Sequence, residues 1–326
     1  MSTSRFNPLA HPVCLSYPLR LASTAWAAHI PFGMFLIDVL RPRVVVELGT
    51  FSGVSYCAFC QAVAELKLDT RCWALDTWRG DRHAGTYGEE VLTDLRRHHD
   101  SLYQDFSELI QTTFDGGLDN FANGTIDLLH IDGHHTYESV KHDFDTWLPK
   151  LSERGVVLLH DINVRERDFG VWKLWAEIKD NYPHFEFPHE HGLGVLLIGG
   201  REPPGLAPLL HSSDSEAAMI RQFFSQMGLR LRVRLEKDLE TAAKEELASE
   251  LNISRETIGA LSTELTNRSN LLTAKEDQLA VKEAQLNNIL SSRAWKWVTR
   301  YGRFKNWLRQ SLRVINKNSS RFGLCV

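Results

Sequence analysis

The residues able to do chemistry fall into two groups. Asp132 and Asp161 each close an apolar run, 126–131 and 155–160, and such runs read as buried strands. If those strands are neighbours, the two carboxylates converge on one crevice. Hard oxygen donors of this kind suit Mg2+, Mn2+ or Ca2+. His135, three residues past Asp132, is a candidate general base, a candidate ligand or a loop histidine. The second group is Glu47, Gly49, Thr50, Ser52 and Gly53, directly after Val44-Val45-Val46. An acid beside a glycine turn disfavours a phosphate and suits a cationic or amine-bearing ligand. Asp76, followed by Thr77 and Trp78, ends the next apolar run. A ribose-binding carboxylate belongs there, because two vicinal hydroxyls can donate to one carboxylate. Trp78 reads equally as a cover over a ligand ring or as core.

These groups need a scaffold of strands with helices between them. The three valines before Glu47 suit a strand buried on both faces, as in a parallel sheet. The glycines permit a tight turn, and a helix over 54–66 follows, aiming unpaired N–H groups at the turn. Further strands are expected at 71–76, 108–112, 126–132 and 155–161, with a closing pair around Phe185, Phe187 and 195–198. Helices are expected at 22–40, interrupted by Pro31, at 114–122, around Val140, Phe144 and Trp147, and at 168–182. Residues 82–105, with His83, Tyr87, His98 and His99, read as a loop and helix at the crevice mouth or as a solvated insertion. His184, His189 and His191 fit no common zinc spacing and read as loop histidines. The fold class is α/β, doubly wound and Rossmann-like.

The chain has 326 residues, 43% of them hydrophobic, enough for a large core and an appendage. The net charge of −4 argues against bulk nucleic-acid binding. Five scattered cysteines, Cys14, Cys57, Cys60, Cys72 and Cys325, do not form a disulfide framework. Cys57 and Cys60 lack a second pair to complete a zinc site, so buried packing is expected of them. With no leader-like start and no long apolar run, a reduced, cytoplasmic setting is expected.

Several phrases together carry a family resemblance. They are His29-Ile30-Pro31-Phe32, Val46-Glu47-Leu48-Gly49-Thr50 with Gly53, Leu75-Asp76-Thr77-Trp78, His130-Ile131-Asp132-Gly133 with His135-Thr136-Tyr137-Glu138, and Leu159-His160-Asp161. Residues 10–200 resemble the class I S-adenosylmethionine-dependent methyltransferases, in the bacterial branch found beside or fused to glycosyltransferases. The resemblance implies Glu47 and Gly49 near the methionyl part of the cofactor and Asp76 on its ribose. It implies a divalent ion such as Mg2+ on Asp132 and Asp161, with His135 as base. His160 stands where several relatives carry a second carboxylate and is taken as the third metal donor. The implied activity is O-methylation of a sugar hydroxyl in surface-polysaccharide synthesis. A non-catalytic scaffold for glycosyltransferases and a hydroxylase on the same fold are the alternatives. A nicotinamide dehydrogenase is disfavoured, since the G-x-G-x-x-G loop is absent.

The expected division is a cap over 1–43, the methyltransferase domain over 44–200, a linker over 201–230, a coiled coil over 231–290 and a basic aromatic tail over 291–326. Leu251, Ile258, Leu265, Leu272, Leu279 and Leu286 recur every seventh residue, which favours a homodimer or a glycosyltransferase partner through a coiled coil. The tail has cations interleaved with Trp295, Trp297, Tyr301, Phe304 and Trp307 and no acid. That composition suits an anionic membrane surface at its inner face; the alternatives are a solvated tail or a docking helix.

Overall fold

The computed structural model describes residues 6–81 and 85–319; His83, Arg321 and Cys325 lie outside the described residues. One compact unit runs Met1–Thr241 and a second runs Ala242–Val326. In the first, α1 (Ile30–Leu40) precedes β1 (Val44–Leu48), α2 (Val54–Glu65) and β2 (Arg71–Asp76). A two-stranded ribbon of β3 (Gly80–Asp81) and β4 (Gly85–Thr86) leads to α3 (Glu89–Tyr103) and β5 (Ser107–Gln111). Then come α4 (Phe114–Gly117), β6 (Ile126–Ile131), α5 (Tyr137–Trp147), β7 (Leu151–His160) and α6 (Val171–Ile178). The hairpin of β8 (His184–Phe187) and β9 (Leu193–Leu197), then α7 (Ala207–Leu210), complete the series before the long α8 (Asp214–Ser291).

The seven-stranded sheet has the order β5-β2-β1-β6-β7-β9-β8. β5, β2, β1, β6 and β7 are parallel, and β9 joins β7 and β8 antiparallel. The chain builds outward from β1 through β2 to β5, then crosses back to lay β6 on the other side of β1. This reversal opens a crevice at the carboxyl ends of β1 and β6. The doubly wound α/β fold expected from the sequence is therefore present. Every residue of β6 is buried, as a central strand covered by helices on both faces must be. Asp127 survives inside it because Ser152 Oγ (2.6 Å) and the Arg43 amide (2.7 Å) donate to its carboxylate.

Several elements differ from expectation for physical reasons. Pro31 does not interrupt a helix over 22–40. A 3-10 turn spans Ala25–His29 and Pro31 sits in the first turn of α1, where its missing N–H costs nothing. β7 begins at Leu151, four residues before the expected start at Gly155. α6 starts only at Val171, because 163–170 loops over the crevice rim. The linker expected over 201–230 is corrected outright. Within it lie α7 and the first turns of α8, whose buried Ala217, Ile220, Phe224 and Gly228, with Leu231 just beyond, recur at helical spacing. Phe224 packs on Phe32 and Phe35, with ring centroids 5.3 Å apart in each case. Gly228 lies against α1's lead-in: a Cβ there would fall 2.2 Å from the Ala28 carbonyl oxygen. The cap over 1–43 belongs to the same compact unit.

Cys14, Cys57, Cys60 and Cys72 are free and buried. Burial pushes the Cys57 and Cys60 thiols well above their ordinary range, so they behave as small apolar side chains. The leucines of the seven-residue repeat lie on α8 beyond Thr241 and are exposed.

Asp143 on α5 is buried, and burial raises its carboxyl to about 7. The fold therefore binds this proton more tightly than the unfolded chain does. The associated stability is complete below the ordinary carboxylate range and is lost as pH rises through about 7. Asp143→Asn should raise the melting temperature at pH 8 and raise it less at pH 5. The gain at the higher pH is expected to be a few kcal/mol, about 4 at most. An equal gain at both pH values in thermal melts would show that the carboxyl is not held protonated.

Candidate functional site

The sequence puts an acid at the end of β2, and the fold turns that acid on the glycine loop. Asp76 Oδ2 accepts from the amides of Thr50 (2.9 Å) and Phe51 (2.8 Å), and Oδ1 accepts from the Trp78 amide (2.7 Å). The loop is closed by two more backbone bonds. Gly49 N donates to Leu75 O and Asp132 N donates to Leu48 O, each at 2.9 Å. Gly49 has φ +88, and a Cβ on it would lie 2.2 Å from the Asp132 carbonyl oxygen. Only glycine lets the loop after β1 come so close to the end of β6.

A crevice of about 590 Å3 opens over these strand ends, within the range of small-molecule sites. Gly49, Thr50, Ser52, Asp76 and Thr77 line it, with Phe51, Thr113 and Phe114 beside them. Asp132, His135, His160 and Asp161 line the same crevice. The two groups singled out in the sequence are thus brought together.

Three expected contacts are placed elsewhere. Gly53 is not among the lining residues; its φ of +78 instead lets it serve as the N-cap of α2. Trp78 is 2% exposed, and its Nε1 donates to Phe51 O at 2.9 Å, so it braces the loop from the core rather than covering a ring. Glu47 is fully buried beneath the crevice. Trp26 Nε1 donates to His130 Nε2 at 3.0 Å, which leaves His130 Nδ1 to donate to Glu47 Oε2 at 2.8 Å. The second Glu47 oxygen is buried with no hydrogen-bond partner. Glu47 therefore acts through His130 on Trp26, which does line the crevice.

At the other end two acids face three histidines. His135 Nε2 lies 2.8 Å from Asp161 Oδ2 and 3.5 Å from Asp132 Oδ1. His160 Nδ1 lies 3.3 Å from Asp132 Oδ1 and 3.4 Å from Asp161 Oδ1. His191 Nδ1 donates to Asp161 Oδ1 at 2.8 Å. Burial opposes charge on all four clustered groups, but mutual attraction overrides it. The His160 charge, with hydrogen bonds from both histidines, holds the Asp132 and Asp161 carboxyls well below the usual range. The same carboxylates raise His135 to about 9 and His160 to about 10. Asp161 has φ +63, a left-handed conformation that an Asp adopts more readily than most residues. The Asn163 amide, bonded to the His191 carbonyl at 2.8 Å, holds the chain in that turn.

Asp132, His135 and Asp161 each offer one ligand atom within 4.8 Å of the others. His135 supplies the third atom of this trio, while His160, expected as the third donor, also turns its Nδ1 on both acids. His160 steadies both acids from behind. The sequence reading missed His191, Trp26 and His130. Only the fold of the β8–β9 hairpin brings His191 to Asp161. His189 also approaches, its ring 4.5 Å from that of buried His29, whereas His184 lies on edge strand β8. Burial, then the charges of His160 and His189, push His29 well below its ordinary pKa, so it packs as a neutral ring.

Several known proteins are similar to parts of this chain. A family model described as a methyltransferase domain matches residues 46–162, from β1 to just past Asp161. An uncharacterized protein, y4gI, of Sinorhizobium fredii is 52% identical over 194 residues, 59% of this chain. The chain spans only 21% of that relative's length. Among solved structures, the SAH-bound methyltransferase PaMTH1 of Podospora anserina is similar at 16% identity and TM-score 0.42, over 52% of this chain and 77% of that one. An O-methyltransferase of Bacillus cereus in complex with SAH is similar at 14% identity and TM-score 0.40, over 58% and 88%.

Two substitutions test the geometry. Gly49→Ala forces a left-handed alanine against the Asp132 carbonyl; the backbone term alone costs about 1–2 kcal/mol, so urea unfolding should show at least that loss. Glu47→Ala strands the buried His130 donor and should cost about 3 kcal/mol. A Glu47→Ala loss well under about 1 kcal/mol would mean that the Trp26–His130–Glu47 chain is not a structural support.

Proposed function

We propose that the chain transfers the methyl group of S-adenosylmethionine to a hydroxyl oxygen of a sugar or related polyhydroxylated acceptor, in surface-polysaccharide or glycoconjugate synthesis. The observation that supports it best is the single crevice whose one end is the Gly49–Ser52 loop with Asp76 and whose other end is the Asp132, His135 and Asp161 cluster. The donor fits the first end. Gly49 leaves backbone where a Cβ would stand, Asp76 reaches the crevice, and Thr113 and Phe114 offer an edge and a ring for a flat base. An oxygen-rich trio with one imidazole fits a divalent cation at the second end.

The chain must hold the acceptor oxygen in line with the sulfonium methyl and accept the loss of its proton. A divalent ion, when bound, would orient a diol and lower the pKa of its hydroxyl. Asp132 and Asp161 supply the negative charge to hold it, and His135 is the third donor. Without the ion, Asp161 orients His135, which the two acids raise to about 9, so only its deprotonated fraction serves as the base. The acceptor end combines Trp26 and Phe169 with His134, Arg167 and His191. Apolar rings beside dense hydrogen-bonding groups match the two faces of a sugar.

Calorimetry separates the two ends. Asp76→Ala should weaken S-adenosylmethionine binding by about tenfold or more, roughly 1.4 kcal/mol. Asp132→Asn should bind the cofactor as the parent does, yet lose Mn2+ binding and methyl transfer to glycan acceptors. No heat from the parent protein with S-adenosylmethionine would remove the proposal. Full transfer by Asp132→Asn, or by the parent after chelation, would remove the metal and return His135 to the role of base.

A further inference from the structure

The second compact unit contains α9 (Arg293–Ser319), which is unlike α8 in its chemistry. No Asp or Glu follows Glu283, while nine cations do, so the rest of the chain is far more acidic than the net −4 suggests. Trp297, Tyr301, Phe304, Leu308 and Leu312 recur at spacings of four, three, four and four. At about 100° per residue they share an arc of about 80°. All five are exposed, from 38% at Leu308 to 76% at Trp297. The described cations fall outside that arc, on its flanks and on the opposite side. Phe304 also stacks on Trp307 at the edge of the stripe, with centroids 5.9 Å apart.

We propose that α9 lies in the surface of an anionic membrane, with the Trp297–Leu312 stripe in the acyl boundary and the flanking cations on lipid phosphates. Charge complementarity selects this occupant. A helix seam between copies of the chain uses acids and bases together, as the α8 repeat does; α9 has bases only. Trp and Tyr at the stripe favour an interface where one edge of the ring is apolar and the other wet. The helix lies on the bilayer, because no helix among the described residues is long and apolar enough to cross it. The inference does not depend on the methyl-transfer reading.

The test is sedimentation of the full chain with vesicles of phosphatidylcholine alone or mixed with phosphatidylglycerol. The chain should pellet with the anionic vesicles at low salt and be weakened by high salt. Arg303→Gln with Arg309→Gln should weaken binding roughly fivefold per charge, about 30-fold together. Phe304→Ser with Leu308→Ser should abolish pelleting while circular dichroism shows the rest of the chain folded. Four results would overturn the proposal: no pelleting with anionic vesicles, equal pelleting with the neutral ones, binding that survives the Phe304 and Leu308 pair, or retention by single-stranded RNA stronger than by vesicles at the same salt. Self-association in sedimentation velocity that disappears in the Phe304 and Leu308 pair would likewise overturn it, since the stripe would then be a seam between copies.

Discussion

The site depends on how closely two backbones meet where the sheet reverses direction. At that point the turn after β1 and the exit of β6 touch, with no room for a side chain at Gly49. Asp132 is bonded through its amide to Leu48, so the acid that ends β6 is fixed relative to the glycine loop. Asp76 completes the joint by accepting from two amides of that loop, Thr50 and Phe51, and from the Trp78 amide beyond β2. The glycine-loop end and the acid cluster are consequently two sides of one backbone contact, not two sites that happen to be neighbours.

Charge is the second constraint. Asp132 and Asp161 would repel each other across a buried crevice floor. His135 and His160, both raised by those carboxylates, offset that repulsion. Removing one member of such a cluster exposes the others to an uncompensated charge, which is why its parts should fail together. A divalent cation held by the same carboxylates would displace the proton that His135 carries, so ion and proton compete for one pocket of negative potential.

A third support runs under the floor. Glu47, His130 and Trp26 form a buried chain from the central strands to the crevice wall. Its acid sits in the phrase that carries the family resemblance, but its contact is with an imidazole. The start of α8 adds a further brace, because Phe224 and Gly228 pack against α1 and its lead-in.

The sequence by itself determined the strands, their order of appearance and the acids at their ends, because β-branched runs and strand-terminal carboxylates are local signals. It also determined the periodicities of α8 and α9, which need only spacing. Only the tertiary structure decided which side chains face the crevice. Glu47 and Trp78 turn inward because His130 and the Phe51 carbonyl are waiting for them, and neither partner is near in sequence. His191 joins Asp161 because the β9 strand pairs antiparallel with β7 and carries its loop back over the site. Those contacts join residues far apart in the chain, and no local pattern encodes them.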